Sequence, residues 1–259
     1  MSRTKQVTRA ESPVQAHIFF NGDLGKFSVM QGEDSGLQEL PFPLRFIVVD
    51  DGAHRITGKK DLDRDSPKFK SNIAHDAYST RLRVWLDNDP ETILGEGTWG
   101  SMSARLAPLG AKYTKLLFIL TDLGQGKILA CMHLKGRAFS AWVDMVKKKK
   151  IDPCGDLSFL IRGTETMEGG KGRPSLVPVF ETGQLSEETK ALAEDADGVL
   201  QAWLETQFEN PYTAVTPAAE DVQVPAAQPA RNADPFNVPV DPRYAHTGTA
   251  PAESDDLPF

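Results

Sequence analysis

The sequence has few of the residues on which metal binding and covalent cross-linking depend. Only two of its 259 residues are cysteine, Cys131 and Cys154, and they form no CxxC pair. The scattered histidines show no spacing typical of zinc ligands. The sequence therefore predicts neither a disulfide framework nor a metal site, and we expect no cofactor.

Long apolar segments are also absent. A membrane-spanning helix needs roughly 18 or more consecutive apolar residues, and the chain contains no such run. Its first residues lack the apolar segment of a secretory signal. We therefore expect a soluble, cytoplasmic protein that does not associate with membranes.

Apolar periodicity is missing from the last part of the chain. Residues 211–259 comprise 49 residues, of which 9 are proline and 10 are alanine. Such a segment buries too little apolar surface to offset the entropy of ordering. The sequence predicts a folded body at 1–209, with a loose polar arm at 1–15, and a disordered acidic tail at 210–259.

Charge is distributed unevenly, although the net charge of the chain is −7. Residues 45–173 hold 22 basic and 16 acidic side chains, a net charge of +6, whereas residues 174–259 hold 3 basic and 15 acidic ones, a net charge of −12. A positive middle region followed by a strongly negative end indicates that the middle region binds polyanions.

Short apolar or alternating runs separated by turn signals dominate the folded part. They predict strands at 17–20, 26–30, 40–50, 54–58, 78–86, 115–121, 127–135, 156–164 and 175–181. Residues 98–109, 136–149 and 186–208 have the pattern of helices. The order of these elements favours a mainly β fold with helices, in the form of a small, bent antiparallel barrel or sandwich with a C-terminal helix.

The sequence finishes with two carboxylates and an apolar group, Asp255, Asp256, Leu257, Pro258 and Phe259. A phenyl ring followed by a free carboxylate is suited to an apolar pocket lined by basic residues. This ending resembles the acidic tip of bacterial and phage single-stranded DNA-binding proteins. The resemblance covers five to seven residues, which we take as the tip at 253–259.

The resemblance implies an OB-fold-like barrel with elaborated loops and a noncatalytic function. Members of this family bind and protect single-stranded DNA in replication, recombination and repair, and they recruit partner enzymes through the tip. The predicted body is about twice the length of the bacterial domain, which resembles divergent phage-encoded versions. Such a protein would work in the host bacterial cytoplasm. Its oligomeric state stays open, and self-association is one alternative.

Binding a single strand without reading its sequence requires cations for phosphates and aromatic rings for bases. In the predicted strand 78–86, even positions are mainly apolar, whereas Arg81, Arg83 and Trp85 share the opposite face. Similar basic and aromatic neighbours recur in the segments at 68–70, 112–115 and 127–137, and we expect Phe69 to be displayed in a loop. The candidate DNA-binding residues are Lys68, Phe69, Lys70, Tyr78, Arg81, Arg83, Trp85, Lys112, Tyr113, Lys115, Lys127, His133, Lys135, Arg137, Arg162, Lys171 and Arg173.

Catalytic motifs are absent: there is no phosphate-binding lysine loop, no GxSxG, no HExxH and no dinucleotide fingerprint. Two carboxylate clusters could hold magnesium, Asp50 with Asp51 and the trio Asp61, Asp63 and Asp65. A metal-dependent nuclease or recombination factor with the same tip therefore stays an alternative, as does an adaptor that binds no nucleic acid. We expect a protein that is not an enzyme.

Overall fold

A computed structural model describes residues 11–32, 36–59, 66–76, 78–124, 126–167 and 174–208. Within these residues the protein is mainly β, with eleven strands, three α-helices and one short 3-10 helix, η1. The strands are β1 (Ala16–Asn21), β2 (Lys26–Gln31), β3 (Gln38–Leu40), β4 (Leu44–Lys59), β5 (Lys68–Ser71), β6 (Leu82–Leu86), β7 (Asp89–Gly97), β8 (Lys112–Asp122), β9 (Lys127–Lys135), β10 (Leu157–Met167) and β11 (Ser175–Gln184). The helices are α1 (Trp99–Leu106), η1 (Ala107–Leu109), α2 (Gly136–Lys149) and α3 (Glu187–Phe208).

All eleven strands belong to one open, mixed sheet. Its main path is β3-β2-β1-β9-β8-β4-β5-β6-β7, with β10 joining β4 and β11 joining β10. Strand β1 pairs with β9 in parallel, and the other ladders are antiparallel. The sheet thus differs from the predicted small antiparallel barrel or sandwich in being open and in having one parallel ladder, because β1 comes from outside the meander and occupies the remaining edge of β9.

Strand β4 organises the sheet because it contacts three neighbours. Its residues 44–47 pair with β10, its residues 57–59 pair with β5, and β8 follows its other edge. Register shifts between Val48 and Ala53 bend the strand, as β-bulges do. The resulting spatial order β10-β4-β8-β9 is that of a Greek key, with β5 to η1 inserted between its first and second strands.

The main core lies between the inner face of the sheet and helix α2. Trp142 is only 1% exposed and packs against Phe46, Phe159 and Phe180, with ring centroids 5.1–6.3 Å apart. The apolar spacing of residues 136–149 predicts this helix, and its bounds are confirmed. Helix α2 therefore covers one face of the β4-β8-β9 meander.

Helix α3 covers one end of the opposite, outer face of the sheet. Leu200 and Leu204 are completely buried there, in a cluster that includes Phe118. The interpretation of Leu192 and Val199 as inward-facing residues is wrong, since they are 42% and 60% exposed. Trp203, which the sequence also predicts to face inward, does pack against this cluster, with its ring centroid 6.0 Å from that of Phe118.

The insertion between β4 and β8 has its own small core. Leu82 and Val84 are buried in it, as their alternation in the predicted strand requires. Phe69 is also buried, 1% exposed, in β5. The expectation that Phe69 is displayed in a loop is wrong, because the alternating Lys68-Phe69-Lys70-Ser71 run forms a short strand and turns the ring inward.

Candidate nucleic-acid interface

The outer face of the sheet is left uncovered by α3 at one end. Cross-strand partners point to the same face of a sheet, so the register shows which side chains meet there. Lys135 of β9 lies opposite Thr114 of β8, which lies opposite Arg55 of β4. This row places Lys135 and Arg55 on the outer face, on either side of a threonine. The Arg55 guanidinium donates to the Ser71 carbonyl oxygen from Nη2 at 2.6 Å and from Nε at 3.2 Å.

A second row runs alongside the first and is longer. Lys112 of β8 lies opposite Thr57 of β4, Thr57 lies opposite Lys70 of β5, and Lys70 lies opposite Trp85 of β6. Lys68 projects to the same side as Lys70, one alternation further along β5. We call this surface the cationic face and define it by Arg55, Lys68, Lys70, Lys112, Lys135 and Trp85.

Positive charge predominates on the cationic face. Desolvation, followed by the charges of Arg55, Lys112 and Lys68, lowers the pKa of Lys135. Lys70 pairs with Asp87, with 3.0 Å between Nζ and Oδ1. In the part of the chain that the structure describes, Lys68, Lys112 and Lys135 are exposed and pair with no carboxylate. The surface therefore attracts anions.

Aromatic rings lie on both sides of these cations. Trp85 is half-buried at the end of the Lys112 row. On the other side Phe19 of β1 is half-buried and stacks on His133, with ring centroids 4.6 Å apart. His133 itself is only 8% exposed, so it supports Phe19 rather than offering a surface of its own.

Two predicted arginines lie at the margin of the cationic face. Arg83 shares the outer face of β6 with Trp85, and its Nη2 lies 3.4 Å from Glu96 Oε1. Arg81 precedes the strand, and its Nε also lies 3.4 Å from Glu96 Oε1. One carboxylate is thus shared by two guanidinium groups, which leaves net positive charge at this margin.

Other predicted residues lie on the opposite side of the sheet. Tyr113 alternates with Lys112 and packs inward, 5.3 Å from the ring of Tyr78 and 5.9 Å from the ring of Phe139. Lys115 is buried rather than displayed, with its Nζ 2.6 Å from Asp51 Oδ1. Alternation of side chains along β8 explains the separation.

Three further candidates contact structural neighbours away from the cationic face. Lys127, at the far end of β9, donates a hydrogen bond to Thr189 of α3 at 3.2 Å. Arg137 donates to the Met167 carbonyl oxygen at 3.1 Å and to the Ser175 hydroxyl at 2.6 Å. Arg162 pairs with Glu181 at 3.2 Å. The residues predicted to bind DNA or partners that fall outside the described ranges are Lys171, Arg173, Asp255, Asp256, Leu257, Pro258 and Phe259.

Of the two carboxylate clusters considered for a nuclease site, the structure describes only Asp50 and Asp51. Asp51 pairs with Lys115, and Asp50 accepts hydrogen bonds from the Gly52 amide at 3.0 Å and from Gln201 at 3.3 Å. Both are therefore used within the fold. Asp61, Asp63 and Asp65 lie outside the described residues.

Two members of the interface were missed from the sequence, Arg55 and Phe19. Arg55 follows the bulges of β4, which change the alternation that a sequence reader would extend from residue 44. Phe19 lies in a run, Ile18-Phe19-Phe20, that shows no polar alternation. Phe19 lies beside His133 because β1 pairs with β9 in parallel, which the local sequence does not indicate.

Comparisons with protein-family models, curated proteins and solved structures found no match to this chain. Within the described ranges, neither α1, α2 nor α3 combines the length and the apolar character needed to cross a lipid bilayer.

Proposed function

We propose that this protein binds single-stranded DNA through the cationic face without strong sequence preference. The observation that carries the proposal is the register that brings four lysines and Trp85 onto one uncovered end of a sheet face, beside the desolvated Arg55 guanidinium. Cations neutralise the phosphates, and the ring of Trp85 stacks on a base. Every base has a stacking face, so this mode of contact does not depend on sequence.

The half-buried aromatic rings favour an unpaired strand over a duplex. In a duplex the bases stack on one another, and their faces are inaccessible to a ring fixed on a sheet. An unpaired strand can turn its bases toward Trp85 or Phe19 while its phosphates meet the lysines between them. Base stacking on aromatic groups contributes about 1–3 kcal/mol per base, which adds to the electrostatic attraction.

The strand order supports an OB-like assignment for the body. An OB-fold is a partly open Greek-key barrel that binds oligonucleotides across its sheet face. The order β10-β4-β8-β9 provides such a Greek key, and the strongly bent β4 is shared between β8 and two other partners. Strand β1, in parallel on β9, is the departure from a closed barrel.

The acidic tail completes the proposal as the segment that recruits partner proteins. Helix α3 ends at Phe208, whose ring lies 3.6 Å from that of His75, centroid to centroid, shortly after β5. Helix α3 thus ends beside the segment that follows β5. Residues 210–259 hold 2 basic and 7 acidic side chains, a net charge of −5, so the tail competes with DNA for the cationic face at about millimolar effective concentration. The tip, 253–259, engages replication, recombination or repair proteins.

Binding to fluorescent oligodeoxythymidylate, compared with duplex DNA and RNA of equal length, tests the proposal. The full chain should bind the single strand most tightly. Deleting residues 210–259 leaves every described strand and helix in place, and it should increase DNA affinity while abolishing capture of partner proteins from a bacterial lysate. Failure of the truncated body to retain oligodeoxythymidylate in dilute buffer would refute DNA binding. Equal affinity with and without the tail would refute competition by the tail alone.

A further inference from the structure

Beside the cationic face, on the same side of the sheet, two histidines and a cysteine converge. The side-chain nitrogen atoms of His17 and His133 and the Sγ atom of Cys131 all lie within 4.8 Å of one another. His17 Nδ1 and His133 Nε2 are only 3.1 Å apart. From this geometry we infer a binding site for one zinc ion, held by His17, Cys131 and His133, that ties strand β1 to strand β9.

The fold creates this cluster from two distant parts of the chain. Cys131 and His133 are two residues apart on β9 and therefore share one face of that strand. Strand β1 pairs with β9 in parallel and places His17 directly opposite Cys131. His17 and His133 are separated by 116 residues in the sequence. Such a separation explains why local spacing predicted no metal site.

The distances suit a tetrahedral ion after a small adjustment. Zinc lies about 2.0–2.1 Å from histidine nitrogen and about 2.3 Å from cysteine sulfur, which separates neighbouring ligand atoms by roughly 3.3–3.6 Å. The nitrogen pair at 3.1 Å is already close to this value. The most distant pair, at no more than 4.8 Å, needs to approach by about 1 Å. Side-chain rotation can supply that, and a fourth position stays open for water.

The protonation states suit metal binding by the histidines. Desolvation by burial, followed by the charges of neighbouring groups including Arg55, lowers the pKa of both His17 and His133. Their rings are therefore neutral near pH 7, with lone pairs available to an ion. Stacking of Phe19 on His133, 4.6 Å between ring centroids, restrains the orientation of that ring.

Cys131 must lose its proton on binding. Burial raises the pKa of its thiol to about 12, an effect that the nearby Arg55 guanidinium partly offsets. Coordination forms the zinc–sulfur bond and releases one proton to solvent, so affinity rises with pH. The charges of Arg55, Lys70 and Lys135 oppose a divalent ion, whereas the new thiolate cancels one unit of positive charge.

Zinc at this position would stabilise the edge of the sheet. The parallel ladder between β1 and β9 involves only residues 16–19 of β1, and β2 and β3 attach to the body beyond it. An ion bound to His17 on one strand and to Cys131 and His133 on the other cross-links this short ladder. It would also restrain Phe19 beside the cationic face.

Metal titration of the purified full-length protein, after treatment with a chelator, tests the inference without any nucleic acid. Zn²⁺ should bind with a stoichiometry of one and raise the melting temperature. Co²⁺, used as a spectroscopic substitute, should show the charge-transfer absorption of a thiolate ligand. Cys131→Ser should abolish that absorption and weaken binding more than ~10-fold, because changes that only surround a metal site already cost about 10–100-fold.

Cys154→Ser is the matched control, since Cys154 is exposed and lies outside the cluster. It should retain stoichiometry, thiolate absorption and thermal stabilisation. Should Cys131→Ser not fold, as judged by circular dichroism, His17→Asn tests the same site at a half-buried position and should also lose the thermal stabilisation. Absence of stoichiometric binding to the folded wild-type protein, or unchanged Co²⁺ spectra in Cys131→Ser or His17→Asn, would overturn the inference.

Discussion

Replacing Lys68, Lys112 and Lys135 by alanine removes three exposed positive charges from the cationic face. None of the three pairs with a carboxylate among the described residues, and none belongs to the buried cores. The substitutions should therefore leave the folded body intact. Their effect on DNA binding should come from the loss of phosphate contacts.

The size of the effect follows from counterion release. Each neutralised phosphate of a single strand contributes about 0.7 to the slope of log K against log salt concentration. The four lysines of the face, with Arg81 and Arg83 at its margin, suggest about six contacts, hence a slope near −4. Removing three contacts should bring the slope to about −2 and weaken binding roughly 100-fold at about 0.1 M salt.

Fluorescence anisotropy with labelled oligodeoxythymidylate over a range of salt concentrations measures both quantities. The control is a variant with Lys147, Lys148 and Lys149 replaced by alanine. These lysines lie in the last turn of α2, which covers the inner side of the sheet. That variant loses the same number of charges and should keep a slope near −4. An unchanged slope in the face variant, or an equal fall in the control, would refute the electrostatic assignment.

Three further predictions concern stacking, stability and pH. Trp85→Ala should weaken binding to oligodeoxythymidylate about 5- to 150-fold, the equivalent of one stacked base at ~1–3 kcal/mol. Trp85→Phe should retain part of the affinity. Equal affinity of the wild type and Trp85→Ala would exclude stacking at this position. Lys115→Ala should lower the free energy of unfolding, measured in urea, by about 3–5 kcal/mol, because it leaves the Asp51 carboxylate poorly solvated and without its partner. The DNA affinity of the folded fraction should not change. A loss of affinity without a loss of stability would contradict the buried location of Lys115. Burial lowers the pKa of His54 to about 4 and the pKa of His133 well below its ordinary value, so the folded state binds fewer protons than the unfolded chain. The stability from these neutral histidines is therefore complete above about pH 6.5 and should fall as the pH drops toward 4. The decrease should be at most about 1.4 kcal/mol per pH unit for each histidine. Urea midpoints measured with a chelator present should show this decline, His54→Asn should reduce it, and a constant midpoint between about pH 7 and about pH 5 would contradict it.

Much of the secondary structure could be predicted because it depends on local patterns. The spacing of Phe139, Trp142, Val143 and Val146 is that of an amphipathic helix, and the bounds of α2 followed from it. Leu82 and Val84 alternate with Arg83 and Trp85, so both faces of β6 could be assigned before its neighbours were known. Such periodicities need no knowledge of distant contacts.

The sequence-based assignments of exposure were wrong where elements distant in the chain cover the second face of a strand or supply a partner to one of its side chains. Alternation along β9 places Cys131 on the same side as His133 and Lys135, yet Cys131 packs against α3 whereas Lys135 is exposed. Lys115 follows Lys112 and Tyr113 in a basic and aromatic run, yet its carboxylate partner Asp51 comes from the bend of β4. A single-sequence pattern contains no information on which remote group supplies such cover or charge.

The amino-acid sequence by itself determined the mainly β character, the helix at 136–149, the separation of a basic middle region at 45–173 from an acidic end at 174–259, and the basic and aromatic segments from which the interface is built. Only the tertiary structure decided which of those segments meet. Register across β9, β8, β4, β5 and β6 placed Lys135, Lys112, Lys70 and Trp85 together, and the parallel pairing of β1 with β9 added Phe19 and brought His17 to Cys131. The physical reason is that alternation along a strand depends on adjacent residues, whereas strand pairing depends on hydrogen bonds and packing between residues that are far apart in the chain.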